Sequence, residues 1–322
     1  MSVPRSNAAA DAARAPLRVP RGEDRRVGGN AAFMHPPSLV ISASRRSDIP
    51  AFYMTWFMQC IERGEFAVTN PFNRRVTRVP ATAPPVHTIV FWSKNFGPFL
   101  EAGWGDHLIR RGYHLFFQFT LNSEDLLLEP NLPALSQRLE QLHRLSDRFG
   151  SQAVNWRLDP ICHYRWNGDG TRDNLGDAER IADAAAAAGL RACTTSFMDP
   201  YAKITKRAAR LRGFAFAEPA PERRVEILLD LERLLSARGI RLFTCCESET
   251  LGGLPSHSKI SAAACIPNDY LMHLYGGRLS RRRDPGQRRA AGCGCRVSTD
   301  VGSYDRHPCA HGCLYCYANP GP

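Results

Sequence analysis

Short apolar strands alternate with amphipathic helices between Leu39 and Thr244 of this chain. The first apolar run, 39–42, precedes a helix that Asp48 can cap and Gly64 can end. Strands that alternate with helices in this way pair in parallel and are joined by right-handed crossovers. The pattern therefore predicts an α/β fold.

Later runs repeat this pattern. The predicted strands are 86–92, 113–121, 153–159, 190–196 and 240–244, and helices with an apolar stripe are predicted at 135–149, 177–188 and 222–238. About six parallel strands favour a partial (β/α) barrel over a short open sheet. Neither a GxGxxG motif nor a P-loop lysine is present, so the sequence does not indicate a dinucleotide or nucleoside triphosphate fold.

The chain divides into three segments by composition. Residues 1–37 are rich in Ala, Arg, Pro and Gly without periodicity, which predicts a disordered extension. Residues 38–245 form the predicted barrel, and the cysteine-rich segment 246–322 is expected to complete it. With no secretory signal and no apolar run of about 18 residues, we expect a cytoplasmic protein that does not enter a membrane.

The chain is basic, with a formal net charge of +11, and only four of its 42 basic residues are lysines. Codon bias explains this preference for arginine, and an anion-binding surface is the alternative. The positive charge therefore makes nucleic acid a possible partner, but it does not establish that the protein binds nucleic acid.

Charged residues cluster where the predicted strands end. Arg45 and Arg46 follow the first strand, Lys94 follows the second, and Arg157 and Asp159 lie on one face of the fourth. Ligands of α/β folds bind at this edge, so we expect these five residues to line the mouth of the barrel. The alternative is that Arg45 and Arg46 are ordinary surface residues and that Lys94 extends its ammonium to solvent.

The last cysteines form a C-x3-C-x2-C triplet, Cys309, Cys313 and Cys316, with Tyr315 directly before the third. Three thiolates on one loop can hold three irons of a [4Fe-4S] cluster and leave the fourth iron open to a ligand. Zinc is the alternative, because Cys313 and Cys316 alone are a C-x2-C half-site.

Eight further cysteines raise the total to an odd number, 11, which favours metal or redox chemistry over a disulfide framework in a chain that is not expected to be secreted. Four of them could bind a second cluster or a structural zinc: Cys245, Cys265, Cys293 and Cys295. The alternative is that Cys245 and Cys265 are buried core thiols. Cys60, Cys162 and Cys193 fit apolar core positions, and Cys246 is ambiguous.

Several stretches of the chain resemble a prokaryotic family catalogued as domain of unknown function 1848. They are ISASRRSDIPAFY, NPFNRRV, IVFWSKN, FQFTLN, EPNLP, WRLDPI, the strand end at Thr244 and Cys245, CGCRVSTDVGSY and CAHGCLYCYANP. The resemblance covers nearly all of the predicted fold. It implies a cysteine site and names no substrate.

The terminal cysteine spacing also resembles the cluster loop of the radical S-adenosylmethionine (SAM) enzymes. Ser93-Lys94, FTLN, LEPNLP and the strand end at Pro160 resemble the middle strands of radical SAM proteins related to spore photoproduct lyase. In those proteins the cysteine loop comes first, whereas here it comes last. The resemblance therefore implies a circularly permuted barrel in which residues 298–317 supply the first strand and its cluster loop.

This second resemblance implies an enzyme with a [4Fe-4S] cluster that binds SAM and yields a 5′-deoxyadenosyl radical to act on an unknown substrate. Its electron donor would be a protein such as flavodoxin or ferredoxin. Tyr315 would lie near the adenine, and the five charged strand-end residues would meet SAM or the substrate. The alternative function is a non-catalytic zinc or iron–sulfur module that interacts with nucleic acid.

Overall fold

The computed structural model describes residues 37–70 and 73–319. The strands in chain order are β1 (Leu39–Ala43), β2 (Glu65–Thr69), β3 (Val76–Pro80), β4 (Val86–Ser93), β5 (His114–Thr120), β6 (Val154–Ile161), β7 (His163–Trp166), β8 (Arg172–Asp173), β9 (Ala192–Phe197), β10 (Phe214–Ala217), β11 (Arg241–Thr244), β12 (Ser261–Ala262) and β13 (Thr299–Asp300). The helices are α1 (Ile49–Phe52), α2 (Met54–Arg63), α3 (Gly97–Glu101), α4 (Trp104–Arg110), α5 (Leu135–Phe149), α6 (Ala178–Ala187), α7 (Ala202–Ala208), α8 (Pro221–Ser236), α9 (Ser248–Gly252) and α10 (Asn268–Tyr275).

Eight strands form one parallel sheet in the order β12-β11-β9-β6-β5-β4-β1-β13. Strands β12 and β13 lie at its two edges, and within the described residues no hydrogen-bonded pairing closes the sheet into a full barrel. The predicted α/β class, with parallel strands in a partial barrel-like arrangement, is therefore confirmed. The six strands predicted from apolar runs all belong to this sheet.

The two faces of the sheet bury different partners. Side chains such as Ile41, Ile89 and Phe117 belong to a large core that includes the apolar stripes of the helices. Their neighbours on the opposite face, Val40, Val90 and Phe116, pack against a second core. That second core contains Ile266, Leu271, Leu279, Cys293 and Cys295, so the segment that follows β12 covers this face of the sheet.

The last strand of the chain pairs with the first. β13 lies parallel to β1, with Ile41 opposite Thr299 and Ser42 opposite Asp300. The Asp300 carboxylate accepts hydrogen bonds from the Ser42 hydroxyl (2.9 Å), the Ser44 hydroxyl (2.6 Å) and the Arg45 backbone N–H (2.7 Å). These bonds hold a strand of only two residues in register and direct the following residues to the carboxyl edge of the sheet.

Some elements differ from the sequence predictions. The predicted helix after Asp48 is divided at Tyr53 into α1 and α2, and it ends, as expected, at Gly64 with a left-handed φ of 79°. Two small antiparallel sheets, β2-β3 and β10-β7-β8, lie in regions where the sequence pattern predicted no strand. The extension predicted at 1–37 lies, except for Pro37, outside the described residues. No helix in the described part of the chain is long and apolar enough to cross a membrane.

Candidate functional site

The terminal triplet lies on the loop that follows β13, which we call the terminal loop (residues 309–317). Cys313 is buried, and Cys309 and Cys316 are partly buried. All three thiols are free, as are the other eight cysteines. Because β13 runs parallel to β1, its carboxyl end places the terminal loop beside the carboxyl ends of β1 and β4.

Asp48 anchors the terminal loop to the sheet. One carboxylate oxygen accepts from the Ala51 N–H at 3.0 Å and caps α1. The other accepts from the Ser93 hydroxyl and the Lys94 N–H, both at 2.9 Å, and lies 2.8 Å from Nε2 of His311. Both Asp48 and His311 are buried, and His311 lies between the first two cysteines of the triplet. Asp48 therefore joins the ends of β1 and β4 to the terminal loop.

Glu129 makes a second anchor, almost fully buried at 4% exposure. It accepts from the Lys94 ammonium at 2.7 Å and the Asn122 amide at 3.1 Å, and also from the Tyr315 hydroxyl. The Lys94 ammonium also lies 5.4 Å from the centre of the Tyr315 ring, and Arg138 lies 3.9 Å from the second Glu129 oxygen. The aromatic residue before the third cysteine is thus fixed between a buried acid and a buried base.

Electrostatics keep this pair charged. Burial disfavours the Lys94 ammonium, but attraction to the Glu129 carboxylate outweighs it, so the pKa of Lys94 is raised above its ordinary value. Burial likewise disfavours the Glu129 carboxylate, yet the Lys94 charge and hydrogen bond lower its pKa. Burial, followed by repulsion from the Asp48 carboxylate, raises the pKa of the Cys309 thiol to about 12, although backbone hydrogen bonds from His311 and Asp48 act to lower it. A bound metal would have to displace the proton of this thiol.

Two arginines fasten the remainder of the terminal loop. Arg207 on α7 donates to the backbone carbonyls of Leu314 (2.7 Å) and Cys316 (3.1 Å). The Tyr317 hydroxyl donates to the Arg45 carbonyl at 2.8 Å. The loop is therefore bound at several points along the carboxyl edge of the sheet.

A second group of thiols lies at the carboxyl ends of β11 and β12. Five thiols from three chain segments lie side by side, each within interaction range of two others, and we call this group the thiol ring: Cys245, Cys246, Cys293, Cys295 and Cys265. The Cys245 sulfur lies 3.7 Å from that of Cys246 and 3.6 Å from that of Cys265. Hydrogen bonds from Cys245 and Cys293 lower the pKa of Cys246 to about 4.

Arg157, Trp92 and Arg45 lie between the two cysteine groups. Arg157 donates to the Cys265 sulfur at 2.9 Å and to the Asp159 carboxylate at 2.7 Å. The guanidinium groups of Arg45 and Arg157 lie 5.3 and 5.4 Å from the Trp92 ring centre. Asn122 continues the network, because its amide oxygen accepts from the Asp159 N–H at 2.9 Å while its amide nitrogen lies 3.0 Å from the Tyr315 hydroxyl.

The structure thus shows where the residues singled out in the sequence lie. Lys94 and Arg45 contact the terminal loop, Arg46 donates to the Gly302 carbonyl, and Arg157 contacts the thiol ring. The four cysteines chosen for a second site are together. Cys60, Cys162 and Cys193 are buried, as expected.

Sequence reasoning missed several residues that shape this region: Asp48 as an anchor, Asn122, Glu129, Arg138, Arg207, Asp300, His311 and the thiol of Cys246. Glu129 could have been found, because an acid within an otherwise apolar and proline-bounded stretch needs a buried partner. The sequence indicated only a helix cap for Asp48, so its second role as an anchor of the terminal loop was not predicted. Arg207 gave no signal, since it lies on a helix among other basic residues.

A separate cavity of about 300 Å³ opens between β9, α7 and β10. It is lined largely by apolar side chains, including Phe197, Ile204 and Phe214, and no cysteine borders it. The cavity therefore does not define the cysteine site. Within residues 37–70 and 73–319, no three His, Cys, Asp or Glu side chains converge on a point that would hold a single metal ion.

The fold and the site define a class: a parallel α/β protein that carries free cysteines at the carboxyl edge of its sheet. Within that class, the chain belongs to the family described as Domain of unknown function (DUF1848), whose family model matches residues 40–318. Apart from Leu39, the match spans all eight strands of the sheet, and it includes both cysteine groups, so the resemblance noted in the sequence is confirmed. A search of curated proteins finds none that matches the chain.

Proposed function

We propose that this protein is a radical-SAM-like iron–sulfur enzyme whose terminal loop holds a [4Fe-4S] cluster through Cys309, Cys313 and Cys316. The observation that carries the proposal is the position of the loop. It follows β13, which pairs with β1 at the sheet edge, so the chain's last strand occupies the place of a barrel's first strand. That is the arrangement a circularly permuted radical SAM barrel requires.

The residues present fit such a cluster. Three free thiols lie within eight residues of one loop, and three thiolates leave one iron without a protein ligand. His311 Nδ1, also on this loop, is buried without a hydrogen-bond partner among the described residues. When bound and reduced by an external electron donor, the cluster would supply one electron to SAM, whose C5′–S bond would break to give methionine and the 5′-deoxyadenosyl radical.

The protein's own residues would position and enclose the cofactors. Asp48 and Arg207 hold the terminal loop to the sheet, and Glu129 fixes the Tyr315 ring through its hydroxyl. Lys94, Arg45, Arg46, Arg157 and Asp159 place charge at the same edge, where carboxylate and ammonium groups of SAM or a substrate could pair with them. Burial of these groups strengthens such contacts by excluding water.

Anaerobic reconstitution followed by incubation with SAM and a strong reductant tests this function. We expect a brown protein that forms 5′-deoxyadenosine, and no product from the C309A/C313A/C316A variant. The C60A/C193A variant is a matched control, because it removes two buried cysteines outside both cysteine groups. A colourless protein that binds only zinc, or a cluster-loaded protein that leaves SAM intact, would contradict the proposal.

A further inference from the structure

We propose that the thiol ring is a second metal site, one that binds a polynuclear iron–sulfur cluster through cysteines alone. The inference rests on different residues from the terminal loop and does not depend on SAM chemistry. Its members come from the end of β11, the segment after β12 and the segment before β13. Three parts of the chain that are distant in sequence thus deliver five thiols to one place.

The shape of the ring points to a cluster. Around a single tetrahedral ion with Zn–S distances of about 2.3 Å, every thiolate would lie about 3.8 Å from each of the others. Here the two sulfur–sulfur distances close to this value, 3.7 Å for Cys245–Cys246 and 3.6 Å for Cys245–Cys265, share Cys245, and no three side chains in the described part of the chain converge on a point that would hold a single ion. The five thiols also exceed the four ligands that such an ion takes. Five donors that encircle a space suit a group of several irons, of which a [4Fe-4S] cluster would use four thiolates.

The surroundings differ from those of an ordinary core. Cys265, Cys293 and Cys295 are at most 5% exposed and pack with Ile266 and Leu271. Two arginines stand beside these thiols: the buried Arg157 donates to the Cys265 sulfur at 2.9 Å, and the partly buried Arg45 lies within electrostatic range of Cys295 and Cys265. Guanidinium groups beside sulfur would offset the negative charge of a thiolate-bound cluster. Neutral thiols in a core carry no charge for a guanidinium group to offset.

Backbone geometry also favours a built site. Cys246 has a φ of 62°, a left-handed conformation that non-glycine residues rarely adopt. This conformation lets two adjacent residues, Cys245 and Cys246, direct both sulfurs into one ring. Gly294 approaches the Ala263 carbonyl so closely that an added Cβ would lie 2.7 Å from that oxygen. The Cys293-Gly294-Cys295 turn therefore lies tightly against the segment that carries Cys265.

The test uses the full chain with the terminal triplet replaced, C309A/C313A/C316A, so that only the thiol ring can bind a cluster. After anaerobic reconstitution with iron and sulfide, we expect about four irons and four sulfides per chain, together with a [4Fe-4S] Mössbauer signal. Adding C265S/C293S/C295S should abolish that iron. Adding C60A/C193A instead should leave it unchanged.

A second measurement covers the case in which the ring variant fails to fold. Thiol alkylation of the reconstituted wild-type chain, read out by mass spectrometry, should show four or more ring cysteines protected until the metal is removed by a chelator. Zinc in place of iron, no metal in the triplet variant, or ring cysteines that are alkylated equally with and without metal would overturn the inference. None of these results depends on cleavage of SAM, so the inference can fail while the proposed function stands.

Discussion

The terminal loop and the thiol ring lie at the same edge of one sheet but in different surroundings. The terminal loop has three cysteines held among charged and hydrogen-bonded groups, including Asp48, Lys94 and Glu129. The ring has five cysteines packed on an apolar face of the sheet, with arginines on one side. If both groups bind clusters as proposed, three thiols would leave one iron open to a ligand and four or five would not, so the two groups would differ as an open and a closed site.

The two groups are nevertheless connected. A hydrogen-bonded path runs from Cys265 through Arg157, Asp159 and Asn122 to Tyr315. Every link in it is 3.0 Å or shorter. A change at one cysteine group could therefore reach the other, and the experiments that separate them need variants on each side of this path.

The largest expected effect comes from removing the terminal triplet. In C309A/C313A/C316A, we expect the iron content to fall by about four per chain and 5′-deoxyadenosine formation to disappear, because no thiolate remains to hold the cluster that binds SAM. Iron analysis and product chromatography measure both. If the variant held as much iron as the wild-type chain, the terminal triplet would not be the proposed cluster site.

Breaking the ion pair between Lys94 and Glu129, which anchors the terminal loop, should have the next largest effect. Glu129→Gln leaves the Lys94 ammonium without its carboxylate, and we expect a loss of about 3 kcal/mol in the free energy of unfolding. Urea denaturation of the metal-free protein measures it. Glu226→Gln is the matched control, since its pair with Arg223 is more than half exposed and solvent screening leaves it little effect on stability. If both variants lost the same free energy of unfolding, the buried pair would stabilise the protein no more than the exposed pair does.

A smaller effect should follow from removing one hydroxyl. Tyr315→Phe deletes the hydrogen bond to Glu129 and the contact with Asn122 while the ring stays, so we expect a loss of about 1 kcal/mol. Thermal unfolding of the metal-free variant gives the value. Iron bound at the thiol ring should not change. A loss of ring iron in this variant would mean that the two groups are coupled through the Asn122 path.

The smallest effect is expected from the amino-terminal segment. A chain that starts at Met34 should fold and bind metal at both groups as the full chain does, because residues 1–33 have no periodic apolar pattern to contribute to a core. Solubility and iron content per chain are the measurements. Loss of either on truncation would show that this segment supports one of the sites.

Much of the fold could be read from the sequence because its signals are local. The apolar runs at 86–92 and 113–121 became β4 and β5, and glycines such as Gly64 ended helices where expected. The small sheet of β10, β7 and β8 could not be read in the same way. Its strands are two to four residues long, and partners distant in sequence specify them.

For the site, residue type and spacing identified the terminal triplet and four of the five ring cysteines. Cys246 stayed ambiguous, because only its left-handed backbone and its neighbours reveal where the sulfur points. The roles of Glu129 and Asp48 were also not readable from the sequence, because each residue pairs with partners on other strands or on the terminal loop.

The sequence by itself determined the parallel α/β class, the family and the number and spacing of the thiols, since these depend on periodicity and on residue type. The resemblance to radical SAM proteins had predicted a first strand within residues 298–317, but only the tertiary structure decided the register in which β13 pairs with β1, that the segment after β12 covers one face of the sheet, and that five cysteines lie together. The physical reason is that β13 has only two residues and is held by Asp300 and its partners in β1. Contacts between distant parts of the chain, rather than any local propensity, fix where both cysteine groups lie.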